Sequence, residues 1–289
     1  MSGEWRVVTV AGVGLIGGSF ALALRQAGFV GKIIGVSSPA TVQAALQRGA
    51  IDEALSLAEA AGQADVVYLA QPISKILETL DVIDAAVRPG TLITDAGSTK
   101  RAIVERAGQT IKRGRFVGGH PMAGKEARGV EAADANLFRT RPYVLTGADA
   151  ELERWIEKIG ARLVRLDAAE HDRRVALVSH LPQLLSTALA SLIADHPEAA
   201  KVAGPAAADL TRLARSPYEI WRDIFSTNSE EIDRVLSDAI ARLQVLREDL
   251  QVEGDMQAIF ARAAKAASQL RQDKYYERNH GPATTEVQG

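Results

Sequence analysis

Short apolar runs alternate with stretches of helical period over the first 167 residues, and helical period alone follows. Residues 5–11, 32–36, 66–69, 91–94, 116–118 and 143–145 are runs of strand length rich in Val, Ile and Leu. Between them, Ala- and Leu-rich segments such as 16–28 and 73–87 repeat their apolar positions as an amphipathic helix does. Strands alternating with helices predict an α/β fold with a parallel, doubly wound sheet. Residues 162–166 predict a last strand. After Asp167 the texture changes, and residues 168–195, 198–215, 217–225, 229–251 and a stretch to about 271 read as helices. The predicted organisation is an α/β domain over 1–167, an all-α domain over 168–272 and a polar tail over 273–289 carrying Gly281 and Pro282.

Composition narrows the chemistry. The chain has no cysteine, which removes disulfides, thiolate zinc sites, iron–sulfur clusters and cysteine nucleophiles. Its 34 basic and 36 acidic residues leave a net charge of −2, so no electrostatic footprint for nucleic acid or an anionic membrane is expected. The first residues lack the basic and apolar regions of a signal peptide, and a cytoplasmic location is expected. Residues 175–193 are uncharged and long enough to span a bilayer. They include His180, Pro182, Gln183, three serines and a threonine, and read as a helix buried inside protein, in a dimer core.

The strand candidate at Val7 runs into Gly12-Val13-Gly14-Leu15-Ile16-Gly17, which opens a helix. In that context GxGxxG is the dinucleotide fingerprint of a Rossmann domain. Gly12 makes the tight turn, Gly14 lets the backbone approach a pyrophosphate, and Gly17 lets helix pack on strand. The bland alternative is a glycine-rich βα turn. Leu15, Ile16, Gln71 and Pro72 join the glycines as candidate cofactor contacts. The second strand ends at Ser37-Ser38, where an NAD site usually carries Asp or Glu for the ribose hydroxyl. Two hydroxyls accommodate a 2′-phosphate that a carboxylate would repel, so NADP is favoured and NAD stays possible.

Two further segments also follow strand ends, where open α/β sheets bind ligands. One is DAGSTK at 95–100, with Ser98; the other is GGHPMAG at 118–124, with His120. Ser98 reads equally as a helix N-cap, and His120 as a turn histidine fixed before Pro121. His180 and Gln183, three apart, share a helix face and read either as satisfied core polar groups or as ligand or dimer contacts. Arg212 and Arg215 are also three apart, and an arginine fork suits a carboxylate. By spacing, Trp221 and Phe225 read as core. The basic run from Lys100 to Arg115 reads as solvated surface. Five widely spaced histidines predict no metal site.

These motifs carry a resemblance. GVGLIGGS at 12–19, DAGSTK at 95–100, GGHPMAG at 118–124, NLF at 136–138, HD at 171–172, SHLPQ at 179–183 and TRLARSPYEIWRDIF at 211–225 resemble the prephenate/arogenate dehydrogenase family, in order and spacing, over nearly the whole chain. The resemblance implies a Rossmann domain followed by a helical domain that dimerises. It implies oxidative decarboxylation of prephenate to 4-hydroxyphenylpyruvate or of arogenate to tyrosine. It assigns His120 as proton acceptor from the substrate 4-hydroxyl, with Ser98 bonding the same hydroxyl. It gives Arg212 a substrate carboxylate, leaves Arg215 and Arg222 solvated, and brings Trp221 near the substrate with His180 and Gln183. Gln183 stands where some prephenate-preferring relatives carry a second histidine. With Ser37, that tilts the expectation toward an NADP-linked arogenate or dual-substrate enzyme. Two alternatives stay open: a Rossmann-plus-helical reductase of the β-hydroxyacid dehydrogenase type, and an NADP-binding redox sensor without turnover.

Overall fold

A computed structural model describes residues 4–250 and 256–279. Six strands form a parallel sheet: β1 (Val7–Ala11), β2 (Lys32–Val36), β3 (Glu53–Ala54), β4 (Val66–Leu69), β5 (Leu92–Asp95) and β6 (Arg115–Val117). Their spatial order is β3-β2-β1-β4-β5-β6, the doubly wound dinucleotide-binding order, with its topological switch between β1 and β4. Apolar runs with no polar alternation suit strands covered on both faces, and β4 and β5 are buried at every position. The crossovers include α1 (Leu15–Gln26), α2 (Pro39–Gln47), α3 (Leu57–Gln63), α4 (Ile73–Ile83) and α5 (Arg101–Thr110). Phe20 on α1 stacks on Tyr68 of β4 with centroids 4.0 Å apart, anchoring that layer.

The sheet does not continue past β6. Residues 119–121 form a short strand, β7 (Gly119–Pro121), which joins β8 (Pro142–Leu145) and β9 (Arg162–Arg165) in a separate three-stranded sheet. β7 pairs antiparallel to β8, whereas β8 and β9 are parallel and are joined through α6 (Ala150–Lys158). His120 thus lies on a strand opposite Val144 and not in the turn after one. A three-residue strand that opens on Gly118-Gly119 has no period to read, so its pairing came from tertiary structure alone.

The helical region is more interrupted than its composition suggests. α7 (Ala168–Val175), a π-turn at Ala176–His180 and α8 (Leu181–Ala194) form one continuous rod. The wide turn sits directly before Pro182, whose ring cannot fit a regular α-turn. The predicted helix 198–215 breaks into α9 (Pro197–Ala200), α10 (Pro205–Thr211) and a 3-10 turn at Arg212–Arg215, with Gly204-Pro205 at the break. The two helices predicted over 217–225 and 229–251 meet at Asn228, whose φ of −139° and ψ of 24° are not helical, and together they make up α11 (Tyr218–Asp249). α12 (Met256–Asn279) continues through 273–279, where a tail is predicted, because no Gly or Pro stands before Gly281. Residues 280–289 of that tail lie outside the described residues.

By packing, the chain forms two compact units, residues 1–232 and 233–289. Within the first, the helical region supplies caps to the α/β layer. The N-terminus of α4 has no cap of its own, and the Asp223 carboxylate accepts the Ser74 N–H at 2.9 Å. The N-terminus of α5 is capped from Asp172, which accepts the N–H groups of Lys100 and Arg101 at 2.7 and 2.9 Å. Carboxylates at helix N-termini satisfy orphan donors and oppose the dipole favourably.

The rod at Ala168–Ala194 is the one helix among the described residues long and apolar enough to cross a membrane by length and composition. Its burial inverts the usual amphipathic pattern. His180, Gln183 and Ser186 are buried, while Leu177, Val178, Leu185 and Leu192 are 42–63% exposed. A single chain leaves these four apolar side chains uncovered, as expected of a helix that reads as part of a dimer core, while Val175, Ala176 and Leu181 join the polar side chains on the buried side.

Candidate active site

A cavity of about 950 Å³ opens at the carboxyl ends of β1, β4 and β5. Gly14, Leu15 and Ile16 line it after β1, Gln71 and Pro72 after β4, and Ala96 to Ser98 after β5. The loop Gly124–Gly129 forms a further wall, and Gln183, Arg212, Arg215 and Trp221 face these from the helical region.

The glycine turn has the shape that a dinucleotide needs. Gly12 sits at φ +92°, and a Cβ there would come 2.6 Å from the Ala70 carbonyl oxygen. A Cβ on Gly17 would lie 2.1 Å from the Gly12 carbonyl oxygen, so α1 packs against β1 only with glycine there. Gly14 differs: apart from its own chain neighbours and the adjoining helix backbone, nothing lies within 4 Å of where its Cβ would be, and it borders the cavity. The first-turn N–H groups of α1 add donors and a partial positive charge at the same place, so the residues present fit a pyrophosphate.

Ser37 is exposed at the end of β2, with no carboxylate in its place. Ser38 is the N-cap of α2, its Oγ 3.4 Å from the Thr41 N–H and 2.9 Å from the Thr41 hydroxyl, which gives it a structural role. Gln71 accepts a hydrogen bond from the Thr79 hydroxyl at 2.9 Å, which holds its side chain against α4.

Ser98 is not the cap of α5, since Asp172 does that work. Its hydroxyl has no partner among the described residues and borders the cavity. Three residues before it, Asp95 is fully buried and accepts from the Gly97 N–H at 2.7 Å, the Gly119 N–H at 3.0 Å and the Lys100 ammonium. Lys100 is completely buried, which corrects its reading as solvated surface: the partner that makes burial tolerable is Asp95. Asp95 thereby ties the Ser98 loop to the strand that carries His120.

His120 does not line the cavity itself. Its Nδ1 lies 2.8 Å from Nε2 of His171, whose Nδ1 lies 2.7 Å from the Asp172 carboxylate. Loss of hydration, then the His171 imidazole, the Lys100 ammonium and His180, push the His120 pKa well below the usual imidazole value. Its ring is therefore neutral at physiological pH. The residues 171–172 were legible only as a family motif and as weak metal ligands. Among the described residues no group of three or more His, Asp or Glu is placed to hold a metal.

His180, on the π-turn, is also off the cavity and almost wholly buried. Asn228 Nδ2 lies 3.3 Å from its Nδ1, and the Trp221 ring stands edge-on with centroids 6.0 Å apart. Trp221 donates from Nε1 to the Ser216 hydroxyl at 2.9 Å and forms cavity wall, not plain core. Gln183 is buried and donates to the Thr187 hydroxyl at 3.1 Å. The Arg212 guanidinium has no partner among the described residues, whereas Arg215 faces Glu126 at 3.8 Å.

Burial lowers the His180 pKa to about 4, with Asp172 opposing and His171 assisting. An unfolded imidazole titrates near 6.5, so between 6.5 and about 4 the unfolded chain binds a proton that the folded chain refuses. Stability present above that window is lost on acidification, by roughly 3 kcal/mol from this group. Urea midpoints at neutral pH and at about pH 4.5 should therefore fall more steeply in the native chain than in His180→Asn. Equal falls would remove His180 as the cause.

Residues 20–169 match the family described as "Prephenate dehydrogenase, nucleotide-binding domain", and residues 167–264 match "Prephenate dehydrogenase, dimerization domain". The prephenate dehydrogenase of Lactococcus lactis is 39% identical over 77% of this chain, an alignment that spans 65% of that relative's own length. That of Bacillus subtilis is 33% identical over 91% of this chain and 75% of its own. Among solved structures, Aquifex aeolicus prephenate dehydrogenase in complex with hydroxyphenyl propionate and NAD+ superposes with a TM-score of 0.85 at 30% identity, covering 94% of this chain and 99% of that one. Synechocystis arogenate dehydrogenase gives a TM-score of 0.76 at 31% identity over 93% and 99%. The chain therefore belongs to the prephenate dehydrogenase family, with a nucleotide-binding domain followed by a dimerisation domain.

Proposed function

We propose that this chain oxidises and decarboxylates a cyclohexadienol in tyrosine biosynthesis, acting on arogenate or on both arogenate and prephenate, with NADP+ preferred to NAD+. One observation carries the reading: the glycine turn, the free Ser98 hydroxyl and the unpaired Arg212 guanidinium converge on a single cavity. The nicotinamide of a dinucleotide bound at Gly12–Gly17 would take the hydride from C4 of the substrate.

The chain's own residues hold the substrate and move one proton. Arg212 suits the bidentate binding of a substrate carboxylate. Ser98 hydrogen-bonds the 4-hydroxyl, and neutral His120 takes its proton as the carbonyl forms. The dienone so produced accepts the electron pair left by departing CO₂, and the ring becomes aromatic. With aromatisation as the driving force, positioning and proton acceptance are the protein's main contributions. Trp221 and Gln183 shape the pocket around the ring.

The outward apolar face of the rod at Ala168–Ala194 supports a homodimer, in which a second copy covers Leu177, Val178, Leu185 and Leu192. The absence of a carboxylate at Ser37 supports NADP. Ser37→Asp should then raise KM for NADP about tenfold or more while improving that for NAD. Unchanged selectivity would remove Ser37 as the determinant. The reaction itself is tested by stoichiometry. One CO₂ released per dinucleotide reduced supports oxidative decarboxylation, and reduction without CO₂ would make the chain a simple alcohol dehydrogenase.

A further inference from the structure

His171 and Asp172 are fully buried and do not line the cavity, and the mechanism above makes no use of them. Their hydrogen bonds nevertheless determine what His120 can do. The Asp172 carboxylate only accepts, and its two oxygens already take the Lys100 and Arg101 N–H groups. His171 Nδ1, 2.7 Å away, must therefore be the donor. Taken as the neutral ring, His171 carries that one N–H, so its Nε2 is left as an acceptor. His120 Nδ1, 2.8 Å from it, must then donate, which leaves the lone pair on His120 Nε2.

We propose that His171 and Asp172 are a positioning pair: they fix His120 in the Nδ1–H tautomer and leave Nε2 bare to take the substrate proton. The inference rests on the reading of His120 as proton acceptor. The same pair is held from several elements. Asp172 is clamped by the N-terminus of α5, and its main-chain oxygen accepts from Asn228 Nδ2 at 2.9 Å. The charged or titratable neighbours of the pair and of His120 are Lys100, itself paired with Asp95, and His180. None of the described contacts offers His120 Nδ1 a competing acceptor.

The test combines the native protein with two variants of His171. In histidine ¹⁵N-labelled native enzyme, long-range ¹H–¹⁵N correlation should report His120 as the Nδ1–H tautomer, assigned by loss of its signals in His120→Asn. His171→Leu should lose that tautomer preference and lower kcat on the order of 10²-fold, with KM and dinucleotide Kd changed by no more than about twofold. His171→Gln places an amide oxygen near the former Nε2 and should recover about tenfold of that loss. A merely structural role would weaken dinucleotide binding and leave the tautomer alone. An Nε2–H tautomer in the native enzyme, or native kcat in His171→Leu, overturns the pair's role. Native turnover in His120→Asn would instead overturn the acceptor reading, while the tautomer spectrum would still decide the pair.

Discussion

His120→Asn is expected to lower kcat on the order of 10³-fold while leaving dinucleotide affinity within about twofold. Asparagine keeps a polar group opposite Val144 on β7 but cannot take up a proton at neutral pH. The cofactor walls at Gly14–Ile16 and Gln71–Pro72 belong to other elements, so binding should survive. A KM rise with kcat intact would mean that His120 binds substrate and does not accept its proton. The pH profile adds a sign. The neutral ring is the active form, and protonation abolishes acceptance. Because burial, His171, Lys100 and His180 hold the His120 pKa well below 6.5, the acidic limb of kcat/KM should fall below the ordinary histidine range. A limb centred near the ordinary value would contradict that environment.

Lys100→Met is expected to cost roughly 3–5 kcal/mol of stability, read as a drop in the urea midpoint at unchanged m-value. Methionine fills similar space but leaves the Asp95 carboxylate buried without its cation. The double variant Lys100→Met with Asp95→Asn should recover part of the loss, because no uncompensated charge remains. Activity should fall further than unfolding explains, since Asp95 also holds the Gly97 N–H in the Ser98 loop and the Gly119 N–H beside His120. A stability change below about 1 kcal/mol would show that water or local relaxation solvates Asp95.

What was legible in the sequence was local. The glycine turn announces itself because a strand, three glycines and a helix must be contiguous for the geometry to work. Alternating strand and helix patterns predict the parallel, doubly wound sheet, but not its strand order or the two-residue β3, which has no period to read. Ser98 and His120 stood out because each follows a strand end. What was hidden depends on partners far along the chain. Lys100 resembles its basic neighbours until Asp95 is seen to share its burial, across a loop with no period. The strand at His120 exists only through pairing with residues 143–145. Asp172 caps a helix about 70 residues earlier, and nothing in HD at 171–172 says so. The rod at Ala168–Ala194 reads from composition as part of a dimer core, but hydropathy does not report which of its faces is outward.

The most direct measurement is the absorbance of reduced nicotinamide when the purified chain meets NADP+ or NAD+ with arogenate or prephenate, in all four pairings. Reduction is expected with arogenate, faster with NADP+ than with NAD+, and should be lost in His120→Asn. No reduction in any pairing, with dinucleotide binding intact, would contradict the proposed activity.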